Sequence, residues 1–449
     1  MDTMLDRLLT VNNFYWSDER FQPDLALHGS APAPNDASPA TVRGRFACAF
    51  DTPSDGVTLV RDRLGLNKLF LAVHESGTVV SANYLIDLVN RDVPFECIQS
   101  VPAGHQLHVD PVRDVRELTA YAATYAGPAV QDTAIEDVAR SIRGGLERWF
   151  ARLAAQFRDR RICVCLSGGI DSGVIAALAT HYFSDVVAYT YMFADAPTPS
   201  EDAVNAERVA EALRIPLRIV PASTMNILDA LDDAICYGQD WRDFNVHCAI
   251  VNELLARAIL RDLDRDSRRP ALVLTGDLAN EFLADYSPVR YKGREFYTLP
   301  HVDHASLRLA LVRGLDAGDR EVGIFNHHGL DVIQPYGFLI DEFMALPGST
   351  LARDDCKQSL AGAVAGDLLP PLVLSRRKVR AQIGGVTPTG ILPVLLENGY
   401  DLPALRAAFC RLFMIEDESS LESFIRAGRY RVARDRPGER TVINGYIAA

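Results

Sequence analysis

The sequence predicts an α/β protein: a C-terminal doubly wound parallel sheet with helical additions, preceded by a smaller β-rich part. Three observations predict it. From about residue 160 onward, short apolar runs alternate with segments of helical period, the pattern of strands joined by crossover helices. Between Arg45 and Val109, short apolar runs separated by turn signals read as successive strands. Between Arg161 and Leu178, R-I-C-V-C-L-S-G-G-I-D-S-G-V-I-A-A-L, an apolar run breaks at Ser167-Gly168-Gly169 and resumes at helical spacing.

In chain order, Phe14-Tyr15-Trp16 reads as a strand or a core cluster, and Ala31 to Ala40 as a Pro/Ala/Ser-rich loop. R-F-A-C-A-F-D, then V-T-L-V-R-D-R-L-G-L-N-K-L-F-L-A-V, then G-T-V-V-S-A-N, and finally V-P-A-G-H-Q-L-H-V build the β-rich part, taken as residues 1–125. Residues 126–449 form the second domain. Ile135, Val138, Ile142, Leu146 and Phe150 recur at spacings of three and four, predicting a helix over 130–160. Strands are expected at Asp185–Phe193, Leu217–Val220 and Ala271–Thr275, with a helix capped by Ser200 between the first two. After residue 300 the chain reads as mostly helical, including Lys357–Leu369.

The 449 residues suffice for two or three domains, and 48% hydrophobic with 23% charged residues is ordinary for a globular protein. A net charge of −13 argues against nucleic acid or a membrane surface as partner. No apolar stretch is long enough to span a bilayer. The acidic start M-D-T-M-L-D-R predicts no signal peptide, and the eight cysteines contain no C-x-x-C pair, so a reducing cytoplasm is expected. Cys163 and Cys165 read as small apolar residues of a buried strand.

Ser167-Gly168-Gly169 lets the backbone approach a ligand, and the following helix start offers N–H groups to an anion, with side chains there able to cap it. No G-K-[ST] follows, and the spacing is not G-x-G-x-x-G, so neither the P-loop nor the dinucleotide fingerprint applies. Asp171 beside the turn suggests a divalent metal held against a polyphosphate. S-G-G-I-D-S resembles the pyrophosphatase loop of the asparagine synthetase class, which cleaves ATP between the α and β phosphates. That resemblance implies that Leu166, Ser167, Gly168, Gly169, Asp171, Ser172, Met192 and Gly276 bind the nucleotide.

The resemblance extends along the chain. R-D-R-L-G, S-A and V-P-A-G-H are similar to the family's N-terminal glutaminase half. That half uses an N-terminal cysteine, whereas this sequence has Asp2, and a carboxylate cannot replace a thiolate nucleophile, so a degenerate glutaminase-like domain is expected. L-T-G-D-L-A-N-E-F-L-A-D-Y resembles the second ATP loop, implying Asp277 near the chemistry and Asn280 and Glu281 with Asp171 around Mg2+. G-L-D-V-I-Q-P-Y resembles the G-V-E-x-R-x-P-F segment, implying Asp331 as general base or amine-orienting group, with Ile333 where the family has arginine. S-R-R-K-V-R resembles the closing R-x-K loop, implying Arg376 and transition-state stabilisation by Lys378. His327 and His328, with no matching ligand spacing, read as loop residues.

The expectation is an ATP-dependent amide-forming ligase that releases AMP and pyrophosphate, with ATP and Mg2+, a small-molecule or peptide carboxylate and an amine as partners, and a homodimer allowed. The absent glutaminase cysteine and arginine point to the β-lactam synthetase and lasso-peptide cyclase branches. A glutaminase-independent asparagine synthetase, a peptide macrolactam cyclase, and a non-catalytic nucleotide-binding descendant remain alternatives.

Overall fold

The apolar runs after residue 160 close into one five-stranded sheet. Its strands, Arg161–Cys165, Val186–Phe193, Leu217–Ala222, Ala271–Leu274 and Asp331–Ile333, lie in the order third, second, first, fourth, fifth, and every neighbouring pair is parallel. The computed structural model describes residues 5–24, 42–112, 115–121, 133–266, 271–374 and 390–421, without 18–19, 53–55, 75, 418 and 420, and the short strands Val442–Ile443 and Tyr446–Ile447. The expected boundary at residue 125 lies outside the described residues.

Alternation along the strands fixes which helices cover which face. Ile162 and Val164 share a core with the helices Ile135–Phe157 and Ile170–Tyr182, whereas Cys163 between them packs with Val246, Ile250 and Leu254 of the helix Asp243–Arg265. Burial pushes the Cys163 thiol up to about 12, in keeping with a small apolar role. Ser200 does cap its helix, accepting from the Ala203 N–H at 3.2 Å. The fifth strand falls in a segment that reads as helical, because three residues give no measurable period-two signal.

Upstream, Phe14 and Trp16 lie in the strand Asn13–Ser17 of a three-stranded sheet. Two four-stranded sheets enclose a separate small core that includes Val57, Leu59, Leu71, Val79 and Leu107. The V-T-L-V to F-L-A-V stretch is two strands, Gly56–Arg61 and Phe70–Val73, and R-D-R-L-G is the turn between them. Buried Asp62 organises that turn by accepting from the N–H groups of Phe46, Leu64, Leu66 and Asn67 at 3.0–3.2 Å. Arg61 donates to Gly65 O and Val101 O and pairs with Asp316 at 2.6 Å. Arg45 donates to Val332 O at 2.9 Å, so an N-terminal side chain satisfies a carbonyl on the edge strand of the parallel sheet. Among the described residues no helix is long and apolar enough to cross a membrane.

One buried imidazole makes the fold sensitive to acid. His247 meets the Tyr297 hydroxyl through Nδ1 at 2.6 Å, and its Nε2 has no hydrogen-bond partner among the described residues. Burial depresses its pKa to about 3 from an ordinary 6.5. The unfolded chain therefore gains a proton below pH 6.5 that the folded chain refuses until about pH 3. The stability this contributes is present above 6.5 and is lost at about 1.4 kcal/mol per pH unit as pH falls through that window. His247→Phe is expected to flatten the dependence of unfolding free energy on pH between about 6 and 4 by one proton. Denaturant titrations across that range measure the slope; an unchanged slope would exclude His247 as its source.

Candidate functional site: a nucleotide-sized cleft at the sheet switch point

The first and fourth strands are neighbours although the chain order reverses between them, so the loops after them diverge and leave a crevice at their C-terminal ends. The loop after the first strand is Ser167-Gly168-Gly169. Gly168 has φ +68°, and a Cβ there would stand 2.5 Å from the Ala206 nitrogen, so the position admits only glycine. Gly276, after the fourth strand, would bring a Cβ within 2.5 Å of the Ser172 nitrogen, so its backbone packs against the first turn of the helix Ile170–Tyr182. The helix Ile170–Tyr182 starts without a side-chain cap, contrary to expectation. Ser172 Oγ instead turns back to the Ser167 N–H at 3.2 Å, which leaves the first-turn N–H groups to an outside acceptor.

The crevice is a cavity of 380 Å³. Leu166, Ser167, Gly169, Asp171, Ser172, Gly276, Asp277 and Asn280 line it, together with Thr190, Tyr191 and, on its apolar wall, Val251 and Leu255. Sequence reasoning thus brings most of its expected nucleotide residues together. Gly168 shapes the loop but faces Asn205 and Ala206 instead of the cavity. Met192, expected at the nucleotide, is not among the lining residues; it sits further along its strand, opposite Pro221.

Two cations not singled out in the sequence organise the charge. Lys357 Nζ lies 2.8 Å from Asp171 Oδ2 and 3.0 Å from Asp285 Oδ2, and donates to Asn280 Oδ1. Burial alone would lower its pKa; the carboxylates of Asp171 and Asp285 outweigh burial and hold the ammonium charged. Arg320 donates to Asp277 Oδ2 at 3.1 Å and to Glu281, over the Phe244 ring. Glu281 also accepts from the Tyr286 hydroxyl, so its carboxylate is engaged away from the cavity rather than beside Asp171. Glu321 lines the cavity, and burial, reinforced by the charge of Asp277, pushes its carboxyl well above the ordinary range.

The structure does not bring Asp331 to this site. Asp331 pairs with Leu272 at the N-terminal end of its strand, three residues short of the cleft end, about 10 Å at ~3.3 Å per residue. Its carboxylate accepts from Asn12 Nδ2 at 2.8 Å, and burial raises its pKa against the influence of Asn12, Arg45 and Arg160. Alignment by motif missed this because the segment's strand was not recognised. Ile333 is wholly buried in the apolar core, so that position does not face the cavity. Asp2, Arg376 and Lys378 lie outside the described residues.

The oxygen donors at the cleft, Asp171, Asp277 and Asn280, are of the kind Mg2+ takes, and the glycine loop with its uncapped helix start suits a polyphosphate. Both groups fit the residues present, with Lys357 held between Asp171 and Asn280.

No curated protein matches the chain. Among solved structures it is similar to NMN synthetase from Francisella tularensis, at 14% identity and TM-score 0.31, over 69% of this chain and 100% of that one. It is also similar to NH3-dependent NAD synthetase from Campylobacter jejuni subsp. jejuni NCTC 11168 in complex with the nitrate ion, at 18% identity and TM-score 0.23, over 34% of this chain and 62% of that one. The family model described as asparagine synthase matches residues 151–315, which include the glycine cradle, the Gly276 loop and the helix between them. The match to the asparagine synthase family model over residues 151–315 therefore spans both loops that build the cleft.

Proposed function

We propose that the chain is an ATP-dependent carbon–nitrogen ligase that adenylates a substrate carboxylate and joins the acyl group to an amine. The match to the asparagine synthase family model supports an ATP-using ligase activity. The observation that carries the finer reading is the cradle itself: a glycine turn and an uncapped helix start that carries Asp171, lining a nucleotide-sized cavity together with Asp277 and Lys357. The carboxylate attacks the α-phosphorus, the bond to the β-phosphate oxygen breaks, and pyrophosphate leaves. The amine nitrogen then attacks the acyl carbon, AMP departs with the former carboxylate oxygen, and the amine gives up a proton.

In this reading the backbone of Ser167 to Gly169 receives the phosphates, and Lys357 meets the charge that grows on the departing pyrophosphate. Asp171, Asp277 and Asn280 would hold Mg2+, which supplies charge neutralisation on the phosphates when bound. Glu321 takes the proton-handling role for which Asp331 is too remote, because it lines the cavity and burial raises the proton affinity of its carboxyl. Lys378 and Arg376 are proposed to close the site. The acid is a small molecule or a peptide, and a specialised-metabolite role rests on the departures from the family pattern noted in the sequence.

Incubation with ATP, Mg2+ and a panel of acids is expected to yield AMP and pyrophosphate in equal amounts. Asp171→Ala is expected to abolish that release, and because it also removes a counter-ion of Lys357, the thermal midpoint is measured alongside to separate lost chemistry from lost fold. ADP as the stoichiometric product would overturn the adenylation step. ATP binding without turnover on any acid would favour the non-catalytic alternative.

A further inference from the structure

On the far side of the helix Asp243–Arg265 from the cleft, three side chains that the proposed reaction does not use converge. Glu253 is fully buried, and two consecutive histidines aim the same ring nitrogen at it. His327 Nε2 lies 3.2 Å from Glu253 Oε2 and His328 Nε2 lies 2.9 Å from Oε1. The three ligating atoms lie within 4.8 Å of one another. A zinc ion with bonds of ~2.0–2.1 Å would hold tetrahedral ligands about 3.3 Å apart. The two histidine-to-carboxylate distances, one to each oxygen of Glu253, are close to that.

The surroundings hold the imidazoles in this orientation. The Tyr237 ring stacks on His327 at 3.8 Å and 8°, and the two imidazole centroids are 3.8 Å apart. Arg257 is the competing cation, with Nε 2.6 Å from Glu253 Oε1. Its Nη1 and Nη2 are separately engaged by Asp229 at 2.6 Å and Asp233 at 2.7 Å, so it keeps two counter-ions if Glu253 turns to a metal. Three carboxylates against one guanidinium leave an excess of two negative charges beside the two imidazoles, the charge that a divalent ion cancels. Two imidazoles and one carboxylate suit zinc-like transition ions, whereas Mg2+ prefers an all-oxygen set.

We propose that Glu253, His327 and His328 form a binding site for a divalent transition metal of the zinc type, separate from the nucleotide cleft. On binding, each imidazole proton moves from Nε2 to Nδ1, and solvent completes the coordination. The ion ties the helix Asp243–Arg265, whose Val251, Asn252 and Leu255 line the cleft, to the segment running from the helix Val322–Asn326 into the last strand. Its role is to brace that wall.

The test uses the full chain, free of any histidine tag and stripped with a chelator, in excess Mg2+ to occupy oxygen sites. Titration with Co2+ and Zn2+ is expected to show one tightly bound equivalent, with two imidazole nitrogens at the zinc X-ray absorption edge and a raised thermal midpoint. The double variant His327→Ala/His328→Ala is expected to bind at least about 100-fold more weakly, while Asp171→Asn binds as the parent does. Should the double variant fail to fold, His328→Gln retains a hydrogen bond to Glu253 and is expected to show the same weakened uptake. Absence of stoichiometric uptake at micromolar metal, or uptake unchanged by the histidine substitutions, would overturn the site.

Discussion

Lys357→Met is expected to lower pyrophosphate release at saturating ATP by about 100-fold or more while the protein stays folded. The ammonium is the cation nearest the cradle among the described residues lining the cavity, held by Asp171, Asp285 and Asn280. Before nucleotide binds, it neutralises two carboxylates that would otherwise repel the phosphates. As the leaving pyrophosphate gains charge, the same ammonium is already in place and needs no reorganisation. Removing it therefore costs more in the transition state than in the ground state, so kcat is expected to fall with a much smaller change in KM for ATP. Lys357→Arg keeps the charge but replaces a compact ammonium by a planar fork, and a partial loss is expected. Single-turnover measurements with the three proteins decide it. Equal rates for the parent and Lys357→Met would reduce Lys357 to a structural counter-ion.

Arg320→Met is expected to be the more damaging change to the folded state. Its guanidinium is shared by Asp277 at 3.1 Å and by Glu281, whose side chain is 3% exposed. Burial of the guanidinium opposes its charge, and the carboxylates of Glu281 and Asp277 overcome it, holding the pKa well above ordinary. Leaving the buried Glu281 carboxylate without its cation costs about 3–5 kcal/mol for a broken pair of this kind. Two compensations are available: Glu281 protonates, or Asp277 swings into the cleft. Loss of the cation also releases Asp277 from its hydrogen bond to Arg320 and lets it move relative to Asp171, so activity is expected to fall with stability. Arg320→Lys restores one charge but cannot span both acids, and an intermediate midpoint is expected in urea unfolding. A parental midpoint in Arg320→Met would show that the two acids do not depend on this cation.

The cradle was legible because its information is local. A strand, two glycines and an acid within twelve residues name a loop whose geometry follows from backbone sterics alone. The same holds for the Ser200 cap, the helix Ile135–Phe157 and the buried alternation of Cys163 and Val164, each set by residues within one or two turns of one another. Lys357 was not legible, since nothing near it in sequence marks it; it meets Asp171 across 186 positions. Asp331 was misplaced for the converse reason, a motif match without the strand that orients it. Three residues are enough for a strand when Leu272 to Leu274 already offers an edge, but they are too few to announce one.

His327 and His328 show the same division. Read along the chain they are adjacent loop residues with no ligand spacing, and only the packing of the helix Asp243–Arg265 sets Glu253 between their Nε2 atoms. The sequence by itself determined the strand-and-helix alternation and the glycine loop. Tertiary structure decided which cation faces Asp171, which carboxyl stands at the cleft and which is held about 10 Å away at the opposite end of the sheet. The physical reason is that backbone conformation is specified within a few residues, whereas charge pairing and burial depend on which distant segments the sheet order brings together.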